Sequence, residues 1–371
     1  MHNQGKIRLI ATAVLVAVLF SVFTLFVFSD SGIEVSARSA ALYCPETCSF
    51  LYEKNGDTRM PMASTTKIMT ALVAEKIGNL EEKIQIPAEA VGIEGSSLYL
   101  KDGEEMTLKE LLYGLLLRSA NDAATAIALS LCGSVDAFAE QMNAYAAELG
   151  LKDTHFDNPH GLDSETHYTT AKDLARLGAA AIRNETVKEI ASTYKIIIGE
   201  NESARLIVNH NKLLRSYDGA IGLKTGFTKK CGRCLVGAAE RDGISLVSTT
   251  LSAPDDWNDH KKMLDYGFAS LTCYARLAPG QFKKQIMVLG GKESTVTVEN
   301  DEGFSYVDRA GLSEVTTRIC LNRGATAPIQ KGDTLGQILF LRDGELLGSV
   351  PLKAAEDVSA LGQKRRRFFF F

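Results

Sequence analysis

The sequence has no surplus of positive charge. Its 41 Lys and Arg are outnumbered by 45 Asp and Glu, for a net charge of -4. That leaves no basic face for nucleic acid. No internal repeat and no long low-complexity run is visible. Histidine is scarce, with six in 371 residues. The close cysteine pairs Cys44/Cys48 and Cys231/Cys234 stand 183 residues apart and make a poor four-cysteine zinc set, so no metal and no cofactor is implied. Cys44 and Cys48 flank a turn and could bridge it as a disulfide. Cys231-Gly232-Arg233-Cys234 reads as free thiols or a local disulfide. Cys132, Cys273 and Cys320 read as buried small hydrophobes.

Long apolar runs are missing too, except at the start. Lys6 and Arg8 precede an uncharged stretch from Leu9 to Phe28, and Val35-Ser36-Ala37 offers small residues beyond it. This reads as an export signal cleaved after Ala37, or as a retained N-terminal anchor. Either way the rest of the chain lies outside the cytoplasmic membrane. The C-terminus, Lys364 to Arg367 followed by four Phe, suits the anionic headgroup layer of the membrane's outer face.

What is present is ordinary globular composition, 45% hydrophobic and 23% charged, with length enough for two domains. Residues 40–53 read as a hairpin. Ile68, Met69, Leu72, Val73 and Ile77 recur at helical spacing, and Gly78 ends the run. Thr107-Leu108-Lys109-Glu110 is a capping box, and Ser134 and Thr170 are further helix caps. Strands are expected at 194–198, 205–208, 233–239 and 244–250, and a helix at 257–269. From Gln281 to Val358 there are short alternating runs and turns without helical periodicity, which predicts a small all-β domain. The expected organisation is a leader at 1–37, a catalytic domain at 38–277, a β-rich domain at 278–360 and a tail at 361–371.

Three strings carry chemistry. Ser64-Thr65-Thr66-Lys67 is S-x-x-K, Ser119-Ala120-Asn121 is S-x-N, and Lys224-Thr225-Gly226 is K-T-G. Each alone is unremarkable: a helix start, a capped turn and a turn entry. In this order, separated by 52 and then 103 residues, they form the set used for serine acyl transfer. Ser64 and Lys67 share a helix face, and a neutral Lys67 could take the serine proton. Neutrality demands a pKa lowered from ~10.4 toward ~7, which burial and a second cation, Lys224, would supply. Ser119 could pass a proton to the leaving amine. Asn121 could bind a substrate amide or hold Lys67. Thr225 could bind a substrate carboxylate, and Gly226 lets a peptide lie against the strand. The N–H of Phe227 could join that of Ser64 in an oxyanion hole.

With these strings the chain resembles the low-molecular-mass penicillin-binding proteins that act as D-alanyl-D-alanine carboxypeptidases. Arg59 to Ser64, Ser97 to Leu100, Arg118 to Ala123, Asn158 to Asp163 and Gly222 to Thr228 all share the likeness, which spans about residues 38 to 270. The resemblance implies an α/β (α+β) penicillin-binding/β-lactamase-like transpeptidase domain, with a sheet flanked by helices and a small all-β C-terminal domain. It implies removal of the terminal D-Ala from peptidoglycan stem peptides ending in D-Ala-D-Ala, through an acyl-enzyme on Ser64. It also implies β-lactams as covalent inhibitors. His160 matches a histidine lining that family's cleft, or is a structural loop histidine; His155, His167 and His260 read as structural. Some relatives carry Arg within an Asn-x-Asn string, to hold the substrate carboxylate. Here Asn209-His210-Asn211 has His210, so either a protonated His210 or Lys224 and Thr225 must serve. Alternatives are a DD-endopeptidase, a β-lactamase-like hydrolase and a non-catalytic wall-binding protein. Residues 150–170 hold no Glu-x-x-x-Asn to activate water as a lactamase does.

Overall fold

The computed structural model describes residues 32–200, 203–309 and 314–361. The N-terminal apolar run and the basic, Phe-rich tail fall outside the described residues. The order begins with β1 (Ser39–Cys44) and β2 (Ser49–Lys54), a 3₁₀ turn at Ala63–Thr66 and helix α1 (Lys67–Ile77). Strands β3 (Lys83–Gln85) and β4 (Glu105–Thr107) follow, then α2 (Leu108–Tyr113), a π turn at Gly114–Arg118, α3 (Asn121–Cys132), α4 (Val135–Glu148), α5 (Ala171–Arg183) and α6 (Glu185–Ser192). Next come β5 (Lys195–Ile198), β6 (Arg205–Val208), α7 (Leu213–Ser216), β7 (Ala220–Thr228), β8 (Gly232–Arg241), β9 (Ile244–Leu251) and α8 (Asp256–Ser270). The rest is strand: β10 (Leu271–Leu277), β11 (Lys283–Leu289), β12 (Thr295–Glu299), β13 (Phe304–Arg309), β14 (Val315–Leu321), β15 (Gly324–Thr326), β16 (Thr334–Arg342) and β17 (Glu345–Ala354).

Local chemistry sets the helix ends. Thr107 Oγ1 accepts from the Glu110 N–H, while the Glu110 carboxylate accepts from the Thr107 N–H, completing the capping box. Ser134 and Thr170 accept from the Ala137 and Asp173 amides. α1 and α3 carry apolar residues on most faces because they are interior helices: Ile68, Met69, Leu72, Val73, Ala123, Ala124 and Ile127 are all buried in one core.

The main sheet runs β2-β1-β9-β8-β7 and is antiparallel throughout. β7, which carries Lys224, Thr225 and Gly226, is an edge strand of it. α5 packs on one face, where Gly178 leaves room for Val236 and Val247. α8 packs on the other, where the buried His260 ring bonds Ser248 Oγ at 2.7 Å and Thr250 Oγ1 at 3.0 Å. The 3₁₀ turn that carries Ser64 packs against β7.

β10 pairs with β13, so strand pairing of the C-terminal section begins before Ala278. The remaining strands form a sheet ordered β14-β16-β17-β12-β11-β15 around a separate core that includes Val296, Val298, Ile338 and Phe340.

Three expectations need correction. All seven cysteines are free. Across the β1–β2 turn, the Cys44 thiol turns to Glu46 and the Cys48 thiol to the Pro45 carbonyl. Cys320 is exposed, because it sits on the edge strand β14 with solvent beside it, and Cys132 and Cys273 are only half-buried. Finally, Ser36 and Ala37 belong to the folded unit. The Asp259 carboxylate, 1% exposed, accepts from Ser36 N at 2.8 Å, Ser36 Oγ at 2.7 Å and Ala37 N at 3.0 Å. Cleavage after Ala37 would strip a buried charge of these donors, so the folded domain starts at or before Ser36. A chain beginning at Arg38 is expected to lose about 3 kcal/mol of stability against one beginning at Gly32. Urea unfolding of the two checks this, and equal midpoints would remove the clamp.

Candidate active site

Ser64 does not lie in a regular α-helical turn, as its spacing to Lys67 predicted. It lies in the 3₁₀ turn just before α1. Ala63, ahead of it, has φ +47, a conformation costly for a residue with a Cβ. The turn is pinned by Thr65 Oγ1, which donates to the Met62 carbonyl at 2.6 Å, and by Thr66 Oγ1, which donates to the Ala63 carbonyl at 2.8 Å. Gly161, at φ +87, presses on this turn: an added Cβ would sit 2.0 Å from the Ala63 oxygen. Ser64 therefore opens into a cleft of about 510 Å³ at the start of α1.

Lys67 is fully buried, and its Nζ has three neighbours: Ser64 Oγ at 3.0 Å, Asn121 Oδ1 at 2.6 Å and the His160 carbonyl oxygen at 2.5 Å. Two of these can only accept. A neutral amine has two N–H groups and one lone pair. It satisfies both acceptors and leaves the lone pair facing the Ser64 hydroxyl. Burial first, and the Lys224 ammonium second, push Lys67 well below the usual lysine range, with Asp122 opposing. Lys224 is 1% exposed, and burial lowers it to about 7. Its Nζ donates to the Thr225 carbonyl at 2.8 Å.

Asn121, the first residue of α3, spans two groups. Its Oδ1 meets Lys67, and its Nδ2 donates to the Glu94 carbonyl at 2.5 Å. The next residue, Asp122, accepts from Ser97 Oγ at 2.6 Å and from the amides of Leu98 and Leu100 at 3.0 and 3.1 Å. The first turn of α3 thereby holds loop 94–100 beside the cleft. Ser119 follows the π turn at φ +64, and its side chain lines the cleft with Ser64 and Ser96.

On the opposite wall stand Thr225, Gly226 and Phe227. Gly226 is close to Ser64: a Cβ there would lie 3.1 Å from the Ser64 amide nitrogen and 3.2 Å from Ala63 Cβ. Phe227 is two-thirds exposed. His210 lines the cleft on a turn built by Asn209 and Asn211, where Asn209 Oδ1 accepts from Asn211 N at 2.9 Å. Burial, Lys224 and Arg118 lower its pKa, so at neutral pH His210 is not a cation.

His160 meets the site through its backbone. Its carbonyl holds Lys67, while the ring accepts from the Leu162 amide at 3.2 Å. Burial, Lys67 and His167 push the ring down to about 3, which keeps it neutral. His167, read as structural, is also close by. Its Nε2 is 2.7 Å from Thr66 Oγ1 and its Nδ1 accepts from Asp157 N at 3.0 Å, so it braces the turn that carries Ser64. The sequence reading gave no role to Asp122, Arg233, Asp256 or Trp257. Asp122 has a signal in the sequence, since the Ser97–Leu100 and Arg118–Ala123 strings both carry the family likeness. The last three had none, because they meet only through the β7–β8 register and the packing of α8. Cys231 and Cys234 lie 3.9 Å apart, sulfur to sulfur, with Cys234 at the cleft wall.

Comparison with known proteins agrees with this geometry. A family model described as D-alanyl-D-alanine carboxypeptidase matches residues 27–255. One described as penicillin-binding protein 5, C-terminal domain, matches residues 276–360. The chain is 34% identical over 337 residues to the D-alanyl-D-alanine carboxypeptidase DacF of Bacillus subtilis, covering 88% of this chain and 87% of that one. It is 32% identical over 346 residues to DacA of Escherichia coli K12, covering 88% and 84%. The solved penicillin-binding protein 5 of Haemophilus influenzae superimposes with a TM-score of 0.64 at 29% identity, over 88% of this chain and 98% of that one.

Proposed function

Since the chain belongs to the D-alanyl-D-alanine carboxypeptidase family of serine peptidases, we propose that it removes the terminal D-alanine from peptidoglycan stem peptides ending in D-Ala-D-Ala. The observation that carries the reading is Lys67: a buried side chain whose Nζ lies 3.0 Å from Ser64 Oγ and is held there by two fixed acceptors, Asn121 Oδ1 and the His160 carbonyl.

The proposed reaction runs as follows. Lys67 takes the Ser64 proton as Oγ attacks the penultimate carbonyl carbon. The oxyanion forms against the Ser64 and Phe227 amides. Ser119 passes a proton to the leaving D-alanine amine as the C–N bond breaks. Water then hydrolyses the acyl-Ser64 ester with Lys67 again as base, and the trimmed peptide leaves. Asn121 holds Lys67 in place, Lys224 keeps it neutral, and Thr225 faces the terminal carboxylate. The peptide adds to edge strand β7, where Gly226 permits close approach. β-Lactams acylate the same serine. Such a substrate is found outside the cytoplasmic membrane, which matches the export reading of the N-terminus and the membrane-facing reading of the C-terminal tail.

The test is release of D-alanine from diacetyl-Lys-D-Ala-D-Ala, with and without prior exposure to benzylpenicillin. Release that penicillin blocks, with a single covalent adduct seen by mass spectrometry, is the expected result. An adduct without release would move the chain to cutting cross-links, and neither would leave a wall-binding role.

A further inference from the structure

The reaction above needs a cation for the carboxylate of the departing D-alanine, and the groups first considered for it do not supply one. His210 is neutral at pH 7. Lys224 is buried and its Nζ is turned to the Thr225 carbonyl, away from open cleft. Among the residues lining the cleft there is one guanidinium, that of Arg233.

Its position follows from register. In the β7–β8 hairpin Thr225 pairs with Leu235 and Phe227 with Arg233. Alternate residues of a strand share a face, and directly paired residues share it too. Thr225, Phe227 and Arg233 thus stand on one face of the hairpin, beside the edge along which the peptide lies. α8 covers this face. From its first turn, Asp256 accepts from Arg233 Nε at 3.1 Å and Nη2 at 2.6 Å. The Asp256 side chain is 5% exposed and that of Arg233 44% exposed. The carboxylate is buried, and the guanidinium it orients reaches open cleft.

One set of donors is left over there, and another lies buried beside it. A guanidinium has five N–H groups, and Asp256 takes two, leaving three. Trp257, whose ring lies 6.0 Å below the Arg233 guanidinium, has a buried indole Nε1–H with no hydrogen-bond partner among the described residues. A buried donor without an acceptor is costly, and the residue that carries it lines the same cleft as Ser64.

We propose that Arg233, oriented by Asp256 and joined by the Trp257 indole N–H, is the anion subsite that binds the carboxylate of the terminal D-alanine together with Thr225. This rests on the carboxypeptidase reading. It makes Arg233 the residue that restricts cutting to a free C-terminus. Asp256 is a positioning residue, since it acts through Arg233.

The experiment compares diacetyl-Lys-D-Ala-D-Ala with its C-terminal carboxamide, in the full chain and in Arg233→Gln and Arg118→Gln variants. The readout is the ratio of kcat/KM for acid over amide, in which the fraction of folded enzyme cancels. The unaltered chain should prefer the acid. Arg233→Gln should cut that preference by roughly 10–100-fold, mainly through KM for the acid. Arg118→Gln should leave it in place, although Arg118 Nη1 lies 3.3 Å from His210 Nε2. Asp256→Asn should lower the preference by less than Arg233→Gln. An unchanged ratio in Arg233→Gln, or a collapse in Arg118→Gln instead, would overturn the proposal. Failure of the unaltered chain to release D-alanine from either peptide would count against the carboxypeptidase reading itself.

Discussion

Ser64→Ala is expected to lower D-alanine release by about 10⁴-fold or more, and to abolish covalent labelling by penicillin. Three serines line the cleft, Ser64, Ser96 and Ser119. The Lys67 amine lies at hydrogen-bond distance from the first of them. Removing Oγ leaves the amine with an unused lone pair and no atom to form an ester, so the two-step route is lost. What remains is water attack on a bound, oriented peptide, hence a small residual rate rather than none. Retained labelling in the variant would assign the acyl-enzyme to another residue.

Lys67→Met is expected to cost about 10³-fold or more in acylation, measured by stopped-flow binding of a fluorescent penicillin. Methionine keeps the length and apolar stem of the side chain and removes only the base. The pH dependence carries more information. Acylation by the unaltered enzyme should fall on the acid side as Lys67 gains its proton, at a pH well below the usual lysine range. Lys224→Met removes the cation that helps to depress Lys67, so the acid limb should move to higher pH. The stability of the fold is linked to the same group. Because the folded-state pKa is depressed, the unfolded chain binds the extra proton between that value and ~10.4. Stability of the unaltered chain relative to Lys67→Met should therefore rise with pH across this window and stay flat below it. A flat difference up to pH 10 would mean that Lys67 is charged in the folded state.

The serine acyl-transfer chemistry was legible because it depends on spacing along the chain. Thr107 with Glu110, Ser134 and Thr170 announced their helices through capping, which is a local interaction. Strands β6 and β9 were visible as β-branched runs. What stayed hidden depends on approach through space. Nothing local says that Ala63 takes a positive φ and turns the Ser64 stretch into a 3₁₀ turn; Gly161, distant in sequence, presses on it. The contribution of His160 comes from its carbonyl, which any residue would offer, so the side chain misdirected the reading. His167 looked ordinary because its partner, Thr66, is far away in the chain. The Arg233–Asp256 pair joins a strand to a helix start and follows from hairpin register, which a reading of side-chain types does not give.

Helix α8 is held by two carboxylates in successive positions of one face. Asp256 ties it to Arg233 at the cleft, and Asp259 ties it to Ser36 and Ala37. The helix turn that orients the proposed carboxylate subsite is thus anchored by the first residues of the folded unit. A chain cut past Ser36 loses the donors to Asp259, so its expected first loss is the grip on peptide at Arg233, one helical turn away, with Ser64 still in place.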